Sequence, residues 1–585
     1  MCRACVTSQI TDHLTAGLWQ AAPSRGRFLA YTAAGAAAAA IAAGREARAA
    51  DGEATIFRNG TIYPMTAGGL PVEALAIGGG NILVAGSDAD VSALRRGGTR
   101  IVDLQGRVLF PGFVDPHHHT VLSALFANLL LDIGYPTYAA RADALAAVKA
   151  AVAKTPSGQW ISAGSYDNLL QGGDLSMAEL DAISTQHPIF VLYVNGHVGA
   201  GNTLAFTLAK IPQDVGELPG GGHFGRTPDG KLNGLIYEEP ALLKFLSVAA
   251  PPVTPALIAT VLASYAKQVA ATGNTTLHEP GTVKPEWVAP LAKLSTTLDV
   301  RMSASLSTDS VAAGKAFVSL GPGAKARKIP NSRFSLYGMK FWADGSNQTE
   351  SAAQTKPYLH TTERGKPNYS ASQMAGLCRA AKDAGWPILI HCQGDAAIDD
   401  ALDAIEQAYG PNPSTGLNLV EHATMARADQ LDRMKRLGVQ PSFLPDLLSL
   451  YGAAFRDQIF GPERTEFMEP MAACVKAGIP FSLHTDSPVS PAGPLRLVQI
   501  AVTRRCITDN SIIGGGQAIS VGEALKAITI NAARQIGLED SIGTLEPGKQ
   551  ADLTILEGDP YKASPDAISA IKVSETWVAG QRKFG

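Results

Sequence analysis

Residues 108–119, Val-Leu-Phe-Pro-Gly-Phe-Val-Asp-Pro-His-His-His, constrain the fold of this chain more than any other stretch. An apolar run that ends in Asp115 can bury itself as a strand, and it delivers His117 and His119 at its tip. Alternate side chains of a strand point the same way, so these two imidazoles share one face while His118 takes the other. Two neutral imidazoles at the end of a buried strand make half a site for a divalent metal. A surface histidine tract is the alternative, but it would not follow an apolar run so directly.

The residues downstream repeat the pattern. Lys340 ends the run Phe334-Ser-Leu-Tyr-Gly-Met-Lys and stands just before Asp344-Gly345. His391 closes Pro387-Ile-Leu-Ile-His, His422 follows Leu419-Val-Glu, and Asp486 follows Pro480-Phe-Ser-Leu-His-Thr. Helix-like segments separate these runs. In a (β/α)8 barrel the reactive groups occupy such strand ends, so residues far apart in the chain converge on one site. Strand-like runs occur at 108–114, 160–164, 189–194, 273–279, 300–306, 335–343, 387–391, 418–421, 439–444 and 480–485. That is more than a barrel needs, so at least one run belongs to an insertion. Residues 213–240, rich in glycine and in turn pairs such as Pro228-Asp-Gly, are the expected inserted lobe over the strand ends.

The two ends of the chain read differently. Residues 54–106 alternate short β-like runs with turns at Asn59-Gly60 and Gly78-Gly-Gly, and the style returns in Ala551-Asp-Leu-Thr-Ile-Leu and at 573–580. The expected division is β-rich stretches at 51–112 and 536–585 around an α/β barrel at 113–535. A chain of 585 residues, 46% hydrophobic and 17% charged, can bury a core of that size. The formal net charge of −3 and the lack of a basic block argue against a nucleic-acid partner.

Residues 1–50 stand apart, with five Lys+Arg against two Asp+Glu. Ser24-Arg25-Gly26-Arg27-Phe28-Leu29 precedes an Ala-rich run, and Ala47-Arg48-Ala49 offers a small-x-small cleavage site. The segment resembles a Tat-like (twin-arginine) signal peptide whose arginines are split by Gly26. It implies a periplasmic or secreted protein; a cytoplasmic enzyme with an Ala-rich tail is the alternative. The run is short for a membrane span, so no stable membrane anchor is expected. Cys2 and Cys5 lie in this segment without a second pair to complete a zinc site.

The order H-x-H, Lys, His, His, Asp, formed by His117, His119, Lys340, His391, His422 and Asp486, resembles the amidohydrolase superfamily of metal-dependent hydrolases. Gly196-His197 with Asn202, the stretch 339–345, His391-Cys-Gln-Gly-Asp, Glu421-His422-Ala and Thr485-Asp486-Ser-Pro narrow it further. They resemble amidohydrolase family 3, the YtcJ-like branch that includes N-substituted formamide deformylase. The resemblance covers roughly residues 54–580. It implies a TIM-like barrel with a small β-sandwich domain built from both chain ends. It also implies hydrolysis of a non-peptide carbon–nitrogen bond in a small-molecule amide, N-substituted amide or N-formyl compound.

Such hydrolysis needs a hydroxide, a polarised carbonyl and a proton for the leaving nitrogen. A divalent metal supplies the first two, lowering the pKa of its bound water from about 15.7 to ~7 and acting as a Lewis acid. By the resemblance, His117, His119 and Asp486 hold one ion, and His391 and His422 a second. Zinc suits the set, as one ion or two, and manganese, iron or cobalt also fit. Lys340 becomes a ligand if carbon dioxide converts it to a carboxylated lysine, which bridges two metals in members of the superfamily; a strand-end lysine paired with Asp344 is the alternative. Asp486 is the candidate general base and acid. His197 would polarise the substrate carbonyl, and His278 and Glu238 would line the pocket. His484 reads as a substrate-side residue, a partner of a ligand, or a core histidine. Asn195 stands where the resembled branch usually has Asp.

Three alternatives stay open. A deaminase of the same superfamily typically has Glu three residues after the strand-five histidine, where this chain has Gly394. A mononuclear hydrolase, including a cyclic-amide hydrolase, would keep Lys340 unmodified. A catalytically dead exported binding protein would keep the fold alone. A homo-oligomer is compatible with all of them.

Overall fold

The computed structural model describes residues 54–218, 221–250, 254–307, 325–411 and 417–585, so the export-like segment lies outside the described residues. Two units make up the described chain: His119–Tyr265 with Ser487–Pro491, and the remainder.

In the larger unit eight parallel strands lie side by side in chain order: β1 Phe113–Asp115, β2 Asn274–Val283, β3 Arg301–Ser307, β4 Phe334–Trp342, β5 Ile388–Cys392, β6 Leu419–His422, β7 Gln440–Phe443 and β8 Ser482–Leu483. The last comes back to the first. Asp486 N–H donates to the His117 carbonyl at 3.0 Å, and Thr485 Oγ1 donates to the Asp115 carboxylate at 2.6 Å. The result is a nearly closed TIM-like barrel. β4 is buried along its whole length, as a parallel strand must be when side chains fill the interior and helices cover the outside. Some of the helices between strands end at a glycine cap. Ala428–Leu437 stops at Gly438, whose φ of 67° is the left-handed conformation a C-terminal cap requires.

Both chain ends build the two further sheets of this unit. One orders Asn81–Gly86, Ala74–Gly78, Thr55–Arg58 and Arg100–Asp103; the other orders Thr61–Ile62, Val108–Pro111, Leu553–Leu556, Val573–Val578 and Gln581–Phe584. Phe57, Leu75 and Ile77 from the first share one apolar cluster with Leu109, Leu553, Ile555 and Trp577 from the second, which makes the pair a β-sandwich. Arg301, the first residue of β3, reaches it with Nε and Nη2 each 3.2 Å from Asp552. The same carboxylate accepts Ala579 N–H at 2.7 Å. The N-terminal face of the barrel is thereby pinned to the sandwich.

The smaller unit holds a six-stranded sheet, ordered His223–Arg226, Leu232–Tyr237, Val198–Gly201, Ile189–Tyr193, Ile161–Tyr166 and Leu131–Asp132. Along Ile189–Tyr193, Phe190 and Leu192 enter one apolar cluster with Phe206 and Phe245. Ile189, Val191 and Tyr193 enter another with Val148 and Ile161. A strand buried on both faces is apolar throughout, which is why 189–194 reads like a barrel strand; 160–164 is more mixed but also carries an apolar run. They pair with each other in this sheet instead. The glycine-rich tract expected to form the lobe supplies only the outer hairpin, closed by Thr227 N–H to the Lys231 carbonyl at 2.8 Å. The separate unit is therefore larger than the expected 213–240. No helix among the described residues is long and apolar enough to cross a membrane.

Candidate metal centre

At the C-terminal ends of β1, β4, β5, β6 and β8 the larger unit gathers His117, Lys340, His391, His422 and Asp486, and with them Glu421 and His484. All are at most 9% exposed, Asp486 being the most open. His117 stands between two carboxylates, with Nδ1 3.1 Å from Glu421 and Nε2 3.1 Å from Asp486. Glu421 also pairs directly with Lys340. The His422 ring lies 4.9 Å from His117 and 4.5 Å from His391. His484 places Nε2 3.2 Å from His422 Nδ1 and Nδ1 2.8 Å from Ser442 Oγ.

Burial sets the charge of three of the imidazoles. It holds His391 down to about 4, with Lys340 adding to the effect, and it holds His422 and His484 well below the usual imidazole range. They are neutral at neutral pH and keep a lone pair. For His391 the tautomer follows from its partner. Nε2 lies 3.0 Å from the Gly345 carbonyl, which can only accept, so Nδ1 carries the lone pair. Burial pushes Glu421 upward, but His117 and Lys340 outweigh it and hold the carboxyl below its ordinary range. Asp344, 3.5 Å from His391, is raised by burial to about 7 even though the N–H groups of Gln393, Gly394 and Ala353 point at it.

Local backbone conformations make this cluster possible. His422 and Asp486 have φ of 65° and 52°, in the left-handed region where non-glycine residues are strained, and strain of that kind collects at functional sites. In β2, Gly281 has φ +75°, and a Cβ there would stand 2.3 Å from Lys340 Cβ. Only glycine lets the Lys340 side chain pass.

Glu421 is the residue that sequence reasoning left without a role. Strict strand alternation puts Glu421 and His422 on opposite faces. The left-handed turn at His422 breaks that alternation and lets both reach the cluster. The one available signal was a carboxylate beside a candidate ligand at the end of a buried run. Lys340 pairs with this residue and not with Asp344. His278 is fully buried with Nε2 2.7 Å from Ser305 Oγ, and burial lowers it to about 3. Cys392, next to His391, is buried and its thiol is pushed well above the usual range.

Three candidates fall in the smaller unit. His119 opens it, donating its backbone N–H to the Ser487 carbonyl at 3.0 Å. His197 Nδ1 lies 3.2 Å from Glu238 Oε2, and that contact lowers the Glu238 carboxyl.

One nitrogen from each of His117, His422 and His484 lies within 4.8 Å of the others. Buried imidazoles beside carboxylates are the donor chemistry of a divalent transition metal, and the residues present fit such an ion.

The chain matches the model of the amidohydrolase family over residues 100–584. It is 26% identical over 526 residues to the N-substituted formamide deformylase of Arthrobacter pascens, covering 88% of this chain and 95% of the relative. It is 26% identical over 539 residues to the protein LONG AFTER FAR-RED 3 of Arabidopsis thaliana, covering 90% and 91%. Among solved structures, an uncharacterized metal-dependent hydrolase of Pyrococcus horikoshii superposes with a TM-score of 0.68 at 23% identity, covering 88% of this chain and 99% of that one, a likeness of fold. This chain belongs to the amidohydrolase family and is an enzyme, a hydrolase acting on carbon–nitrogen bonds.

Proposed function

We propose that the enzyme hydrolyses the carbon–nitrogen bond of an N-substituted amide or N-formyl compound. The supporting observation is the convergence of neutral, buried imidazoles and the Asp486 carboxylate at the C-terminal ends of the barrel strands. His117, His391, His422, Asp486 and a carboxylated Lys340 would hold one or two divalent ions, with His119 counted beside them on the H-x-H spacing alone. When bound, such an ion supplies a Lewis acid and a water-derived nucleophile at neutral pH.

The proton traffic belongs to the chain. Asp486 is the cluster member most open to solvent. Its carboxylate accepts the proton of the attacking water and returns it to the leaving nitrogen. His117, 3.1 Å away, fixes its orientation. His197, held by Glu238, is the proposed carbonyl-polarising group, and His278 and His484 remain assigned to the substrate side. The export-like segment makes the periplasm or the exterior the proposed workplace.

A second reading rests on the Lys340–Glu421 contact. An ammonium held there has no lone pair, so Lys340 would stay unmodified and the site would be mononuclear. Elemental analysis of protein purified without chelators, beside Lys340→Ala, separates the two. Two ions per chain, falling in the variant, support the carbamate-bridged site. One ion, unchanged in the variant, supports the mononuclear one. Absence of both bound metal and turnover of any N-formyl amine would overturn the proposal.

A further inference from the structure

Residues that follow β4, β5, β6 and β7 line an open cavity of about 260 Å³. Met425, Ala426 and Phe467 give it apolar walls, and Lys356, Arg427 and Arg464 bring positive charge. These cations are not equivalent. Arg427 is committed to Asp395 at 3.1 Å, Asp399 at 3.0 Å and Asp429 at 2.9 Å. Arg464 is half-buried and donates Nη1 to the Pro357 carbonyl at 2.9 Å and Nη2 to Gln354 Oε1 at 2.8 Å. Among the described residues it meets no carboxylate within ion-pair distance, and neither does the exposed Lys356. Of the acids that line the cavity, Asp395 acts on Arg464 only at longer range. Asp395 already accepts from Thr355 N–H at 2.8 Å and from Arg427, while Glu463 is exposed.

The Phe460 ring lies under the guanidinium, 4.7 Å from it, but with no carboxylate in ion-pair contact the half-buried charge still gains from a bound anion, and its planar fork matches a carboxylate. The apolar walls ask for a hydrocarbon or aryl body behind that anion. Ligand pockets run from about 300 to 1,000 Å³, so this cavity suits one arm of a substrate and not the whole. It is also wired to the proposed metal site. From Arg464 the path runs through Gln354, whose Nε2 donates to Asn347 Oδ1 at 2.9 Å. Asn347 N–H donates to Gln393 Oε1 at 2.8 Å, and Gln393 N–H to Asp344 at 3.1 Å. Asp344 stands 3.5 Å from His391.

We infer that this cavity seats the apolar, carboxylate-bearing arm of the substrate, Arg464 gripping the carboxylate and Lys356 drawing it in. The substrates are then anionic amides or N-formyl compounds, an inference that rests on the amide-hydrolase reading.

The test is calorimetric titration of the holoenzyme with 3-phenylpropionate and with the neutral 3-phenyl-1-propanol. The carboxylate is expected to bind about tenfold tighter or better, the scale of a hydrogen bond to a charged group. Arg464→Gln should erase the preference, and Arg464→Lys should keep part of it. Equal affinity for the two probes overturns the proposal. So does an undiminished preference in Arg464→Gln, since the carboxylate would then sit elsewhere, the metal included. If Arg464→Gln does not fold, Lys356→Gln decides: a severalfold weaker carboxylate supports the proposal, and an unchanged one overturns it. The two readings fail separately. Probe binding without turnover of any amide would sink amide hydrolysis and leave the cavity assigned, whereas turnover of uncharged amides without probe binding would do the reverse.

Discussion

The two faces of the barrel bury charge in opposite ways. At the N-terminal face, Arg301 and Asp552 satisfy each other and Ala579 N–H completes the carboxylate. At the C-terminal face, one lysine, two carboxylates and four imidazoles share a pocket in which three of the imidazoles are held neutral by burial. The first arrangement is closed and has nothing left to bind. The second crowds neutral imidazoles and carboxylates together, with His422 and Asp486 in left-handed backbone, and leaves donor atoms within reach of a shared ligand. Matched burial marks a joint, and mismatched burial marks a site.

Four experiments sharpen or break that contrast. The largest effect is expected from Asp486→Asn. Loss of a general base typically costs 10²–10⁴-fold, so kcat should fall about a thousandfold while Tm holds or rises. A large fall in Tm would place Asp486 with the joints. Arg301→Ala should do the opposite, costing about 3–5 kcal/mol because Asp552 is left buried and unpaired. Denaturant titration would register it, and turnover per folded molecule should stay near the parent's. Gly281→Ala touches both faces of the contrast. The added methyl meets Lys340, and overpacking of that kind costs about 1–3 kcal/mol, so a modest drop in Tm with altered metal content is expected.

The smallest effect is in pH. His278 is held at about 3 against an ordinary 6.5. As pH falls from 6.5 towards 3, the unfolded chain takes up a proton there and the folded chain does not. The contribution to stability is thus complete above pH 6.5 and drains away through that window, and His391 acts in the same sense down to about 4. Tm should decline on acidification from pH 6.5, and His278→Asn should make the decline shallower. An equal slope would remove His278 from the account.

Much of this was legible in the chain. His117, Lys340, His391, His422 and Asp486 each close an apolar run, and a parallel barrel brings such ends together. The sandwich was legible as two turn-rich ends, since Leu553–Leu556 alternates between the sandwich core and the barrel. Glu421 was hidden because alternation fails at a left-handed residue, and no residue type announces that conformation at His422. The extent of the smaller unit was hidden for a different reason. Ile189–Tyr193 is apolar on both faces, and such a strand carries no mark of the sheet it will join. The cavity at Arg464 was out of reach altogether, because loops contribute to it from four separate parts of the barrel.

The order of strands has a consequence for the birth of the enzyme. Val108–Pro111 waits for Leu553–Leu556 as its antiparallel neighbour, and β1 waits for the segment after β8 to supply the Asp486–His117 link. A ribosome therefore releases most of the chain before either end of the barrel can be sealed. During that interval the half-built sheet exposes open edges that invite wrong pairings. A metal site built from His117, His391, His422 and Asp486 would therefore be complete only once the chain has been made through Asp486.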